Sequence, residues 1–244
     1  MKKKTISLIM VLCMSFLAVV PASATDATVN GTELVAMNVA KEMMAQYPLA
    51  ERIEDAKSGK VDDAVEEDIR EAVTFSVSSG QENMARTANT LTEDVAADVD
   101  YSIKKLGEVV VDGESVGTLY SATGTQKTKT GSDEMLGVEA YMSVVWIDNF
   151  GYDNILVEVS GGWYEHGHYV HKKSLRYSAT DYDGIGDERF IENVSDPFEY
   201  TNIDFHGLAI TAVSYAEIWE DEPSSSGDPV RRQFTFNVSP TIFD

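Results

Sequence analysis

The sequence predicts an α+β protein: a short helical segment on the N-terminal side, then a mainly antiparallel β-sandwich or partly closed β-barrel. Three observations carry that expectation. Residues 25–100 are rich in Ala, Glu and Asp, lack Trp, and repeat apolar side chains at helical spacing. From Tyr101 onward the apolar period becomes two. The alternating runs are joined mostly by short polar turns without helical crossovers, which suits antiparallel neighbours, because parallel ones need long connections.

The first residues read as an export signal. Lys2, Lys3 and Lys4 precede an apolar run from Ile6 to Val20, and Ala22-Ser23-Ala24 supplies the small-residue pattern read by a signal peptidase. Cleavage is expected after Ala24, giving a secreted, extracellular chain. The apolar run is short for a membrane span, and no later segment is apolar for long enough. The expected division is therefore 1–24 signal peptide, 25–100 helical and acidic region, and 101–244 antiparallel β domain.

Within the helical region, Val35, Val39, Met43 and Tyr47 recur every four residues, with Leu34 and Ala40 widening the stripe. Asn30 or Thr32 is placed to cap this helix, and Pro48 to end it. Methionines in such a stripe read as core or interface. Beyond the break at Gly59, Val61, Ala64, Val65 and Ile69 make a narrow stripe, and Glu66, Glu67 and Asp68 read as a solvated face. Residues 76–98 are Ser-, Thr-, Asn- and Ala-rich and read as a weak helix or an ordered linker.

About seven or eight strands follow from the alternation. Asp112-Gly113 between two β-compatible runs is a hairpin signal. Residues 138–148 are apolar on both faces, as in a central strand. In 155–163, Ile155, Val157, Val159 and Trp163 alternate with Glu158 and Ser160. Residues 208–219 alternate again, with Trp219 on the face of Tyr215 and Glu217. Along 230–238, Val230, Arg232, Phe234, Phe236 and Val238 share one face. Residues 220–229 are too polar, and too broken by Pro223, Gly227 and Pro229, to be core.

Charge and cysteine content narrow the function. The formal net charge is −22, and the predicted leader takes away three further lysines. Such a charge repels phosphate backbones and anionic membrane surfaces, so neither nucleic acid nor membrane insertion is expected for the mature chain. The single cysteine, Cys13, lies in the leader, so the mature chain has no disulfide framework, thiolate ligand or cysteine nucleophile.

Two segments could hold metal. His166, His168 and His171 fall within six positions. On an extended strand His166 and His168 point to one side, with Cβ atoms about 7 Å apart, a spacing that can chelate zinc or copper. His171 faces the other way, and zinc asks for three or four ligands, so an exposed polar strand is the plainer reading. His206 is the fourth imidazole, and nothing in the sequence joins it to the others.

The second segment is DYDGIGDERFIE (181–192), where Asp181, Asp183, Asp187 and Glu192 surround Gly184 and Gly186. Over these twelve residues it resembles an EF-hand calcium loop. Asp181 and Asp183 match the first and third ligand positions, Gly186 the turn glycine and Glu192 the bidentate carboxylate. It departs at Ile185, where an oxygen ligand is expected, and at Glu188, where an apolar residue is usual. Its flanks read as strand and as a Pro197 break rather than as helices. The resemblance implies a calcium loop between strands, calcium being the one cofactor it suggests. The competing reading is a solvated acidic hairpin turn.

Three functions compete. The first is a secreted, non-enzymatic binding protein, its ligand a cell-surface glycan or an extracellular protein, met by aromatics on a sheet face. The second is a metal-binding protein using the acidic loop, the histidines, or both. The third is a hydrolase with paired carboxylates such as Asp181 and Asp183, or Glu217 and Glu220. No nucleophile elbow, His-Glu-x-x-His pair or phosphate-cradling glycine loop supports an enzyme. The first reading is preferred and the second is its alternative.

Overall fold

The computed structural model describes residues 31–79, 99–126, 139–148, 153–164, 169–181, 183–219 and 230–239. Three helices come first: α1 (Gly31–Met44), α2 (Leu49–Lys57) and α3 (Glu67–Ala72). Ten strands follow: β1 (Val73–Ser79), β2 (Val99–Val111), β3 (Glu114–Gln126), β4 (Glu139–Asp148), β5 (Asn154–Tyr164), β6 (Tyr169–Thr180), β7 (Gly186–Glu192), β8 (Phe198–Gly207), β9 (Ala209–Trp219) and β10 (Val230–Val238). They form two five-stranded antiparallel sheets, β1-β10-β9-β6-β7 and β2-β3-β4-β5-β8. The sheets do not close on each other, so the architecture is a sandwich rather than a barrel.

The pleat explains the interior. Phe234, Phe236 and Val238 of β10 point inward with Ile210 and Ala212 of β9, and meet Tyr120, Met142, Val144 and Trp146 of the second sheet. Trp146 lies between the layers, 5.6 Å from Tyr120 and 6.1 Å from Phe236 by ring centroids. The β2–β3 hairpin turns at Asp112 and Gly113, with φ of 52° and 87°, so both turn residues are left-handed, as a two-residue turn between twisted strands requires.

A second apolar layer lies on the far side of β2-β3-β4-β5. Ala36, Met37, Ala40 and Met44 of α1 cover Val109, Val111, Leu119, Val145, Ile147, Ile155 and Val157. The buried stripe of α1 matches the predicted one only in part: Ala40 is buried, and Val39 and Met43 pack against the layer, but Leu34 and Val35 are exposed while Ala36 and Met37 face the sheet. Small side chains bring the helix axis close to the strands, and the flexible methionines fill what remains. The helix also stops at Met44, and Pro48 caps α2 rather than ending α1.

Two strand-level differences matter. Residues 73–79, inside the region expected to be helical, form β1 and pair with β10 from Val73↔Val238 to Ser79↔Arg232. The reason lies in Val73, Phe75 and Val77, whose period of two outweighs their polar neighbours. In β5 a bulge between the Val145 and Trp146 pairings breaks the expected alternation. Ile155 and Val157 join the helix-covered layer, while Val159 and Trp163 enter the interior. The bulge is also what turns Glu158 under α2.

Glu66, expected on a solvated face, instead ties the start of α3 to the second sheet. Lys105 Nζ donates to Glu66 Oε1 at 2.7 Å, and the Tyr120 hydroxyl donates to Oε2. Burial opposes ionisation of Glu66, but these two hydrogen bonds outweigh it and hold the carboxyl below its usual range. A folded-state value below the unfolded one means that the contribution is complete above about pH 4.3 and drains away as pH falls through the folded value. Glu66→Gln is expected to lower stability at neutral pH by about 1 kcal/mol, discounted for its partial exposure. Thermal melts across pH check this: the gap between wild type and variant should close below about pH 4, and a gap that widens there would contradict it.

Candidate binding face

The two sheets differ in what covers them. Helices α1 and α2 lie against β2, β3 and β4. Among the described residues, no helix lies over the outer face of β10-β9-β6-β7. The register sets what that face displays. Glu217 of β9 stands between His171 of β6 and Arg231 of β10. Two positions earlier, Tyr215 stands between Ser174 and Gln233. Trp219, at the strand end, shares the parity of Glu217 and Tyr215, as the sequence predicted. Phe190 of β7 lies opposite Arg176 on the same face and is exposed.

Glu217 is the unusual residue here. It is 2 % exposed although no helix lies over its face among the described residues. Its charge is compensated from both flanks. Lys172 Nζ is 3.3 Å from Oε2, and Arg231 Nε is 3.5 Å from Oε1. Lys172 reaches it because β6 carries one extra residue here, Lys172 and Lys173 standing opposite Ala216 alone, with Lys172 at φ 45°. Burying a carboxylate is costly unless it is paired, so strand and bulge together hold one anion among cations. Trp219 is half-buried, and its Nε1 has no hydrogen-bond partner among the described residues. The other two tryptophans are core: Trp146 is fully buried, and Trp163 donates from Nε1 to Ser214 Oγ at 2.9 Å. An aromatic platform thus rests on Trp219 and Tyr215 alone among those expected.

This set can do one kind of chemistry well. A fixed carboxylate accepts hydrogen bonds, the arginine and lysine donate them, and a partly exposed indole offers a flat apolar surface. Among the described residues no nucleophile stands beside a base and an orienting carboxylate there.

The acidic segment adopts a hairpin. Asp181 and Asp183 lie in the β6–β7 turn, where Asp181 N–H donates to Ile185 O at 2.8 Å, Gly184 N–H to Asp181 O at 3.0 Å and Ile185 N–H to Asp183 Oδ1 at 3.0 Å. Asp187 pairs with Ala179, and Glu192 with Ser174 at the far end of β7. Glu192 lies six positions beyond Gly186 along the strand, about 20 Å. The four carboxylates are therefore not brought to one point, because β-pairing with β6 stretches out the second half of the segment. Arg176 takes Glu188 Oε2 at 2.5 Å across the same pair of strands. His166, His168 and Glu220 lie outside the described residues. His171 is described and exposed.

Three residues that do converge were not foreseen as a group. Glu33 of α1 and Asp204 and His206 of β8 place one ligand atom each within 4.8 Å of the others, the one such group among the described residues. His206 was visible in the sequence as a lone imidazole. Its neighbours were not, since they depend on how α1 lies across β8. The chain matches no family model, no curated protein and no solved structure.

Proposed function

We propose that this is a secreted, non-enzymatic binding protein whose ligand face is the outer side of β10-β9-β6-β7, over which no helix lies among the described residues, and that its ligand is a neutral cell-surface glycan. The observation that carries the reading is Glu217: a carboxylate 2 % exposed, held between Lys172, Arg231 and His171 beside Tyr215 and Trp219, on a face over which no helix lies among the described residues. Pre-positioned polar groups beside an aromatic surface fit a ligand with hydroxyls on its edge and C–H groups on its face. The acidic chain disfavours anionic polymers. Export is supported by the basic, apolar and small-residue order of 1–24.

Fluorescence and calorimetric titration with chito-, xylo- and cello-oligosaccharides tests it. At least one class should bind, and Trp219→Ala should weaken it tenfold or more, because aromatic anchors dominate such contacts. Glu217→Gln should weaken it as well. If no fragment binds, or Trp219→Ala binds as wild type does, the glycan reading fails, and a protein ligand on this face becomes the next one to test.

A further inference from the structure

We propose that Glu33, Asp204 and His206 form a site for a first-row divalent cation of the zinc class, clipping helix α1 to the edge strand β8. The backbone brings the three together by two devices. On β8, Thr201 pairs with Glu158 and Phe205 with Leu156, so three residues of β8 stand against Val157 alone. Asn202, at φ 56°, turns the chain there. Ile203 and Phe205 then go to the interior. Asp204 and His206, two positions apart, fall on the opposite side, where α1 lies. Glu33, in the first turn of α1, completes the set.

The geometry asks for a cation more than for a proton. Both carboxylates address the same imidazole nitrogen: Asp204 Oδ1 is 3.2 Å from His206 Nε2, and Glu33 Oε1 contacts that atom too. One Nε2 offers a single hydrogen at most, and it cannot serve two oxygens well. Neither Glu33 nor Asp204 has a lysine or arginine ion partner among the described residues. A divalent ion among the three atoms, which all lie within 4.8 Å of one another, satisfies all of them once the two carboxylates swing apart to bonds of about 2.0–2.2 Å. One imidazole and two carboxylates suit zinc and its neighbours, whereas calcium prefers six to eight oxygens. The side chains are partly open to solvent, at 21 % for Glu33, 40 % for Asp204 and 37 % for His206, so an ion can enter and water can complete its shell.

Titration of the full chain with zinc chloride by calorimetry tests this. Wild type should bind one equivalent. Glu33→Gln and His206→Ala should each weaken binding at least tenfold. A chain carrying His166→Ala, His168→Ala and His171→Ala should keep the site, and calcium chloride should give no comparable signal. Zinc should also raise the melting temperature of wild type but not of Glu33→Gln. Glu33 lies in the first turn of a surface helix, so that variant remains informative if His206→Ala does not fold. No zinc binding by wild type, unchanged binding in Glu33→Gln, or loss of binding only in the triple histidine variant would each overturn the proposal.

Discussion

Replacing Glu158 with alanine is expected to cost about 3–5 kcal/mol of folding stability, far more than the loss of an exposed acid. Arg52 of α2 reaches down onto the second sheet and meets Glu158 Oε1 through Nη1 at 2.8 Å. The side chains are 5 % and 2 % exposed. The same Nη1 donates to Ser143 Oγ at 2.9 Å, Thr123 Oγ1 donates to Ser143 Oγ at 2.8 Å, and Ser160 Oγ donates to Glu158 Oε1 at 3.0 Å. Removing the carboxylate leaves a guanidinium buried without its counter-charge, which is where the large penalty comes from. The double replacement Arg52→Met with Glu158→Leu should recover most of the loss, because two apolar side chains of similar length need no partner. Urea unfolding measures both: the midpoint should fall steeply for Glu158→Ala and much less for the double variant. If the single variant lost under about 1 kcal/mol, the pair would not be buried as described.

That pair also gives the helical layer its register. The apolar contacts of α1 are non-directional, and a helix can slide on them. One bidirectional charge contact with three hydroxyls around it fixes where α2 sits. Helix α1 follows through the short turn at Gln46 and Tyr47, where the Tyr47 hydroxyl donates to Asp55 Oδ2 at 2.8 Å.

The sheet-forming half was largely legible because its signals are local. Asp112-Gly113 carries its own turn geometry, and β10 reads as a strand because Phe234 and Phe236 alternate with Gln233 and Thr235. The face of Trp219, Tyr215 and Glu217 followed from the same counting, and the register upheld it. What was hidden depends on contacts between distant residues. The exposed side of α1 could not be told from its buried side by apolarity, since Leu34 and Val35 are as apolar as anything on the helix. Only the closeness of the sheet selects Ala36 and Met37 instead. The bulge that moves Val157 and Glu158 leaves no mark in the alternation of β5. In the acidic segment, the composition of a calcium loop and that of a hairpin turn are the same, and only pairing with β6 shows that Glu192 stands apart from Asp181 and Asp183. Glu33 and His206 stand 173 positions apart, and nothing local announces that they meet.

Cysteine accessibility in the native protein measures most directly whether the outer face of β10-β9-β6-β7, over which no helix lies among the described residues, is reached from solvent while α1 and α2 cover the other sheet. Cys13 is the single cysteine, so a Cys13→Ser background is free of thiols. Thr235→Cys reports the outer face of β10, half-buried and opposite Val213. Val145→Cys reports the layer under α1, where Val145 is fully buried. A small thiol suits both positions. A buried thiol is labelled only through opening of the structure, and several kcal/mol of protection suppress that rate by about a thousandfold or more. The expected result is prompt maleimide labelling at Thr235→Cys, and at Val145→Cys labelling that is slower by that factor until denaturant is added. Equal protection at both positions would mean that the proposed binding face is covered. Prompt labelling at Val145→Cys would mean that the helices do not cover this layer.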